Sequence, residues 1–220
     1  MDNRPFASVE ALEEYAENTY SALMYMTLAA TSTRSVHLDH VASHIGKACG
    51  IVAVLRGIPA LAGWRKSAKR PGAGGAGNHN PAILLPLDVM VAASLSEEDV
   101  FRRGPEAPGL EDAVYEVATR AHGHIETARD MFRSLKAGHG PGHAFEHQGE
   151  TGHVYNEEEL DDTSRDDLLR GFGVFLEAIP AKEFLSGLEK ARFNPFAPSL
   201  LKSRWWLPFA LWRALAKKEI

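Results

Sequence analysis

Three groups of side chains in this 220-residue chain have types and spacings that could do chemistry. The first is His37, His40 and His44. Steps of three and four residues put them on one face of a helix, and three imidazoles can ligate zinc. Asp39 is the only nearby carboxylate that could orient them, so hydrogen bonding along a polar face is expected and no metal is assigned. The second is "DDTSRDD", residues 161–167, where Asp161, Asp162 and Asp166 offer oxygens for Mg2+. Acids in a Gly/His-rich stretch are ordinarily a solvated charge run, and metal-binding acids need a rigid cavity facing a second set. The third is His139, His143, His147 and His153, which could chelate a transition metal loosely but have no helix to fix their spacing. The single cysteine, Cys49, rules out an intramolecular disulfide and a multi-Cys zinc site. It sits in an apolar run and reads as a small buried hydrophobe. No cofactor is expected.

The elements that must position these groups read as helices. Residues 9–30 carry Leu12, Tyr15, Ala16, Thr19, Ala22, Leu23, Met26 and Ala30 at helical spacing, with Ser8 as N-cap. Residues 37–58 repeat the pattern with Leu38, Val41, Ala42, Ile45, Ala48, Cys49, Val52 and Leu55. From Ile51 onward nearly every face is apolar, which predicts burial all round. Arg56 shares that stripe, and a buried Arg would require a partner acid. Gly46 and Gly50 cost helix propensity and predict close approach by another helix or a ligand. Pro59 should end or kink the helix.

Residues 63–82 form a basic, Gly-rich loop. Ser96 followed by three acids predicts a helix start. A long helix is expected over about 110–135, with Leu110, Ala113, Val117, Ala121, Ile125, Ala128 and Phe132 on one side. Residues 136–167 lose apolar spacing and are expected to be a disordered insertion. Helical pattern resumes at Leu168 and continues past Pro180 to Leu188. No period-2 runs suggest strands. The expectation is an all-α, single domain over 1–220 with two interrupting loops.

Hydrophobic residues make up 45%, charged residues 24%, and the formal net charge is −5. That is an ordinary globular composition, and nothing global points to nucleic acid. No apolar stretch reads as long enough to span a bilayer. The start, "MDNRPFASVEALEEYAE", resembles neither a secretory signal nor an Arg-rich transit peptide. The end is different in kind. Trp205, Trp206, Phe209 and Trp212 stand among Lys202, Arg204, Arg213, Lys217 and Lys218. Tryptophan flanked by cations is what a membrane-interface helix uses. A C-terminal helix whose aromatic side closes the core fits the same residues, and Pro208 could divide it.

"SHIGKACGIVAVLRGIPAL" followed by "LLPLDVM" resembles the second signature region of the squalene/phytoene synthase family. There a helix of the form N-x-G-x-A-x-Q-x-x-N-I-x-R-D-x-x-x-D precedes a loop and a Y-L-P segment. Gly46, Ala48, Leu55, Arg56, Leu85 and Pro86 match. The resemblance implies an isoprenoid-synthase-type bundle. In the enzymes two acids four residues apart hold Mg2+ ions that bind a diphosphate. The aligned positions here are Gly57 and Leu61, and the enzymes' Gln and Asn become Gly50 and Ala53.

"LEEYAENTYSALMYMTL", "DHVASHIGKACGIVAVLRGIP", "SEEDVFRRG", "VYEVATRAHGHIETAR" and "FNPFAPSLLK" look like a non-catalytic branch of that superfamily, the mitochondrial complex I assembly factors. Members of the branch carry a further helical segment before the position of Met1, so the bundle is expected to be incomplete at its N-terminus. The resemblance implies a pseudoenzyme at the matrix face of the inner membrane, working with complex I subunits or assembly intermediates and the lipid surface. The alternative it leaves is a prenyl-diphosphate transferase. A remnant cavity would be lined by His44, Gly46, Gly50, Ala53, Arg56 and Gly57.

Overall fold

The computed structural model describes residues 4–33, 35–63, 81–140, 162–202 and 204–220. Among them every regular element is helical. In chain order these are α1 (Val9–Ala16), α2 (Ala22–Ala30), α3 (Val36–Leu61), α4 (Leu87–Ala92), α5 (Glu97–Arg103), α6 (Leu110–Lys136), α7 (Asp162–Phe175), α8 (Ala178–Lys190) and α9 (Leu207–Lys217). Ser8 and Ser96 cap their helices through the side chain, accepting from Ala11 N and Asp99 N at 3.3 Å each.

Helices α3 and α6 are the spine, and α1, α2, α7 and α8 pack around α3. The stripe expected on α6 is buried throughout, and Met131 and His124 join it. Helix α3 is 26 residues long and, by length and composition alone, apolar enough to cross a membrane, contrary to the expectation above. Two-thirds of its apolar window is buried inside the protein, as befits a core helix. Burial is not complete along it. Arg56 and Leu61 are exposed near its end. Pro59 lies inside the helix, which runs on for two residues to Leu61.

The first helical stretch departs from its predicted stripe. Leu23 and Met26 are 60% and 61% exposed, while Ser21, Met24 and Leu28 are buried. The cause is a π-helical turn at Glu17–Ser21 between α1 and α2. A π turn inserts one residue into the ladder and rotates everything after it by about 100°. The stripe therefore moves one position along the chain, from Leu23 to Met24. Thr19 Oγ1 donates to the carbonyl of Tyr15 at 2.6 Å, serving a backbone acceptor in the disturbed turn.

The expected insertion at 136–167 is shorter than its composition suggests. Helix α6 runs through Lys136 and α7 begins at Asp162. His143, His147, His153, Asp161 and most of the Gly-rich loop at 63–82 lie outside the described residues. Helices α7 and α8 are separated at Leu176–Glu177, and Pro180 sits in the first turn of α8, where its missing N–H costs nothing. Gly109 precedes α6 with φ +76°, against the carbonyl of Ala93. A side chain there would meet both the backbone conformation and that oxygen.

Candidate functional site

Glu13 on α1 is the end of a buried polar chain. Arg120 on α6 donates to both of its oxygens, from Nε to Oε1 and from Nη2 to Oε2 at 3.0 Å. His124, one turn further along α6, sits 2.8 Å from Oε1 through Nε2. His124 Nδ1 lies 2.9 Å from His44 Nδ1, and His44 Nε2 lies 3.1 Å from His40 Nε2. His40, His44 and His124 are all buried. With neutral imidazoles a single proton assignment satisfies all three contacts. His124 donates to the carboxylate, His44 donates to His124, and His40 donates to His44. Burial pushes the Glu13 carboxyl up, but the hydrogen bonds from His124 and Arg120, together with the Arg120 charge, outweigh it and hold it at about 2.

The chain ties α1, α3 and α6 together. Each imidazole spends both or one of its nitrogens on a different neighbour, so the three do not converge on a point where a metal could sit. Among the described residues no group of three or more His, Cys, Asp and Glu could hold a metal ion. His37, placed with His40 and His44 by spacing, stands half-buried apart from these contacts. His124 and Glu13 were not singled out by the sequence. The signal existed: Arg120 and His124 are four apart on the predicted buried side of α6, where a polar pair calls for a partner.

A second polar knot joins the π turn to α3. Glu17 accepts from Tyr25 Oη and, at 2.7 Å, from Ser43 Oγ. Ser21 Oγ donates to the carbonyl of Ser43 at 3.1 Å. Burial, then the hydrogen bond to Glu17, raises the Tyr25 phenol above its ordinary range. Gly46 and Gly50 make this approach possible. A Cβ at Gly46 would collide with Ser21, backbone included, and one at Gly50 with Ala16. Both glycines face a neighbouring helical segment, the close approach by another helix that their positions predicted.

At the other end of α3, Gly57 and Leu61 occupy one face. The Leu61 Cδ1 atom lies 3.4 Å from where a Cβ of residue 57 would be. Gly57 is half-buried and Leu61 is 37% exposed. Neither side chain carries an oxygen that could bind a hard cation such as Mg2+. Ala53 on the same helix is half-buried. Asp166 is exposed on α7. His44 is buried in the polar chain, and Arg56 lines a pocket beside the start of α9.

An open apolar trough of about 540 Å3 does lie between α2, α3 and α7, lined by Tyr20, Leu23, Met24, Thr27, Cys49 and Val174 among others. Cys49 is half-buried there, with Sγ 3.5 Å from the Glu177 carbonyl. Burial, then Glu177, pushes its thiol up to about 12, so it is protonated at neutral pH and unreactive.

The C-terminal helix has two faces. Ala214 is buried and Leu211 half-buried against the bundle. Lys136 Nζ donates to the terminal carbonyls of Lys217 and Lys218 at 3.3 and 3.2 Å. Lys218 turns inward, its ammonium 4.9 Å from the Phe172 ring centroid. Trp206, also assigned above to a membrane face, is half-buried. The outer face carries Trp205 at 86% exposure, with Phe209 and Trp212, both at 63%, stacked on each other. Arg213 and Lys217 are exposed beside them. The large aromatics thus stay out of the core. Pro208 does not divide the helix; it sits in the first turn.

Beside the start of α9 a pocket of about 430 Å3 opens between α3, α8 and the connecting segment. It is lined by Arg56, Lys202 and Arg204 together with Pro180, Phe184, Leu200, Leu201 and Leu207. Arg56 needs no buried acid, because its exposed guanidinium lies 5.8 Å over the Phe184 ring.

Residues 1–145 match the family model described as squalene/phytoene synthase. The chain belongs to that family, and its all-helical architecture agrees with an isoprenoid-synthase-type fold. It is 30% identical over 212 residues to mouse NADH dehydrogenase (ubiquinone) complex I, assembly factor 6, covering 96% of this chain and 49% of the relative. The human protein of the same name is 28% identical over the same shares. A Drosophila melanogaster homolog is 36% identical over 126 residues, 57% of this chain and 33% of the relative. The chain thus spans about half the length of the mouse and human relatives it matches. No solved structure gives a significant match.

Proposed function

We propose that this chain serves the assembly of mitochondrial respiratory complex I as a non-catalytic helper at the matrix face of the inner membrane. One observation carries the reading. Similarity to proteins named complex I assembly factor 6 runs over 96% of the chain, and the helix that would bear metal-binding acids offers Gly57 and Leu61 instead. A family member without those acids cannot gather Mg2+ around a diphosphate. It retains the bundle and its surfaces, which suit binding and holding. Its partners are complex I subunits or assembly intermediates, and the outer face of α9 supplies the contact with lipid.

The test is rescue. Mitochondria lacking their own assembly factor 6 receive this chain with an import signal, and complex I is measured by native gel and NADH oxidation. Restored complex I is expected. A folded, imported chain that leaves complex I absent overturns the proposal.

A further inference from the structure

We propose that the pocket between α3, α8 and the start of α9 binds the phosphate headgroup of an anionic phospholipid. Three cations line it, Arg56, Lys202 and Arg204, and among the described residues no acid does. They come from two distant parts of the chain, so folding and not local composition brings them together. Guanidinium groups match phosphate oxygens in pairs. The remaining lining is apolar, which suits a ligand that is anionic at one end and hydrocarbon at the other. A free phosphate would gain nothing from Leu200, Leu201 and Leu207.

Two further features fit a lipid. Arg204 is held over Gly187 of α8: a Cβ there would stand 2.6 Å from its Nη2 and 3.1 Å from Leu200 Cδ2. The missing side chain leaves room for the guanidinium at the pocket wall. Around the mouth, Leu201 is 72% and Trp205 86% exposed, and the stacked Phe209–Trp212 pair follows along α9. Residues of that kind sit at headgroup depth in a bilayer, where they would present the pocket to lipid phosphates. The inference rests on the membrane-surface reading above but needs no complex I partner.

The test is co-sedimentation of the purified protein with vesicles of phosphatidylcholine alone and of equimolar phosphatidylcholine and phosphatidylglycerol. The triple variant Arg56→Gln, Lys202→Gln, Arg204→Gln should weaken binding to the anionic vesicles at least about tenfold. A charge-matched control, Arg102→Gln, Arg103→Gln, Arg133→Gln, should change it less than about twofold. Gly187→Ala, which moves Arg204 without removing any charge, should weaken it roughly threefold, keeping the test valid should the triple variant fail to fold. Equal losses in both triple variants would mean diffuse attraction and overturn the proposal. So would vesicle binding that survives the pocket changes while binding of inorganic phosphate in solution is lost, since that outcome marks a soluble anion site. Because the readout contains no complex I, its failure is distinguishable from failure of the rescue experiment.

Discussion

The two ends of α3 are built from the same sequence logic and come out opposite. Its N-terminal half places His40 and His44 in the interior and completes them with His124, Glu13 and Arg120 from two other helices. Its C-terminal half brings Gly57 and Leu61 to one half-open face with no polar atom in either side chain. Inside, ionisable groups are tolerated because each has a partner, and breaking one pairing would leave a buried charge or an orphaned donor. Outside, small and apolar residues stand at a half-open surface that asks for no partner. The helix keeps the polar groups that join it to its neighbours, and its far end carries none at Gly57 and Leu61.

If the first half is a structural joint, damage there should be expensive. The largest effect is expected from Gly46→Val, which drives a branched side chain into the backbone of Ser21. Overpacking against backbone costs about 3 kcal/mol, measured as a fall in urea-unfolding free energy. Glu13→Gln comes next. The carboxyl is held at about 2 against an ordinary 4.5. Its stabilisation is therefore complete above pH 4.5 and is lost as the pH falls toward 2. The shift corresponds to roughly 3 kcal/mol at most at neutral pH. Expected are a loss of about 2 kcal/mol at pH 7 and a flatter stability profile between pH 4.5 and 2; an unchanged acid profile would show that Glu13 is not the linked group.

The exposed regions should behave in the opposite sense. Replacing Trp205, Phe209 and Trp212 by Ser should shift the unfolding free energy by less than about 0.5 kcal/mol per residue, yet reduce co-sedimentation with anionic vesicles. A large drop in melting temperature would mean that the aromatics are packed. The smallest effect is expected at the bare end of α3. Gly57→Asp with Leu61→Asp puts two acids at a half-open surface and should alter stability by about 1 kcal/mol or less.

Periodicity located α3, α6, α8 and most of the core, because α6 and the middle of α3 follow a regular repeat that a stripe can report, whereas α4 and the start of α7 at Asp162 were not assigned as helix. It failed where regularity fails. The π turn at Glu17–Ser21 shifts the buried stripe of α2 by one residue, so Leu23 and Met26 were assigned inward and point outward. A one-residue insertion into a helical ladder leaves no mark in a hydrophobicity pattern. The polar chain was half legible. His40 and His44 follow from spacing, whereas His124 and Glu13 lie 80 and 111 residues from their partners, and only the tertiary fold brings them together. The basic pocket was legible least of all, since Arg56 lies far along the chain from Lys202 and Arg204. The outward aromatics of α9 stand among the residues assigned to a membrane face, while Trp206 and Lys218 turn toward the bundle for packing reasons that the spacing does not express.

That α3 is a scaffold and not a metal-holding helix is tested most directly by assaying diphosphate release. The purified chain and its Gly57→Asp, Leu61→Asp variant are each given a C15 or C20 prenyl diphosphate with Mg2+. Neither should release diphosphate above the uncatalysed rate: the first has no oxygen ligand at positions 57 and 61, and the second has no facing acidic set among the described residues to complete a site. Mg2+-dependent release by the unmodified chain would contradict the scaffold reading and return the protein to the catalytic side of its family.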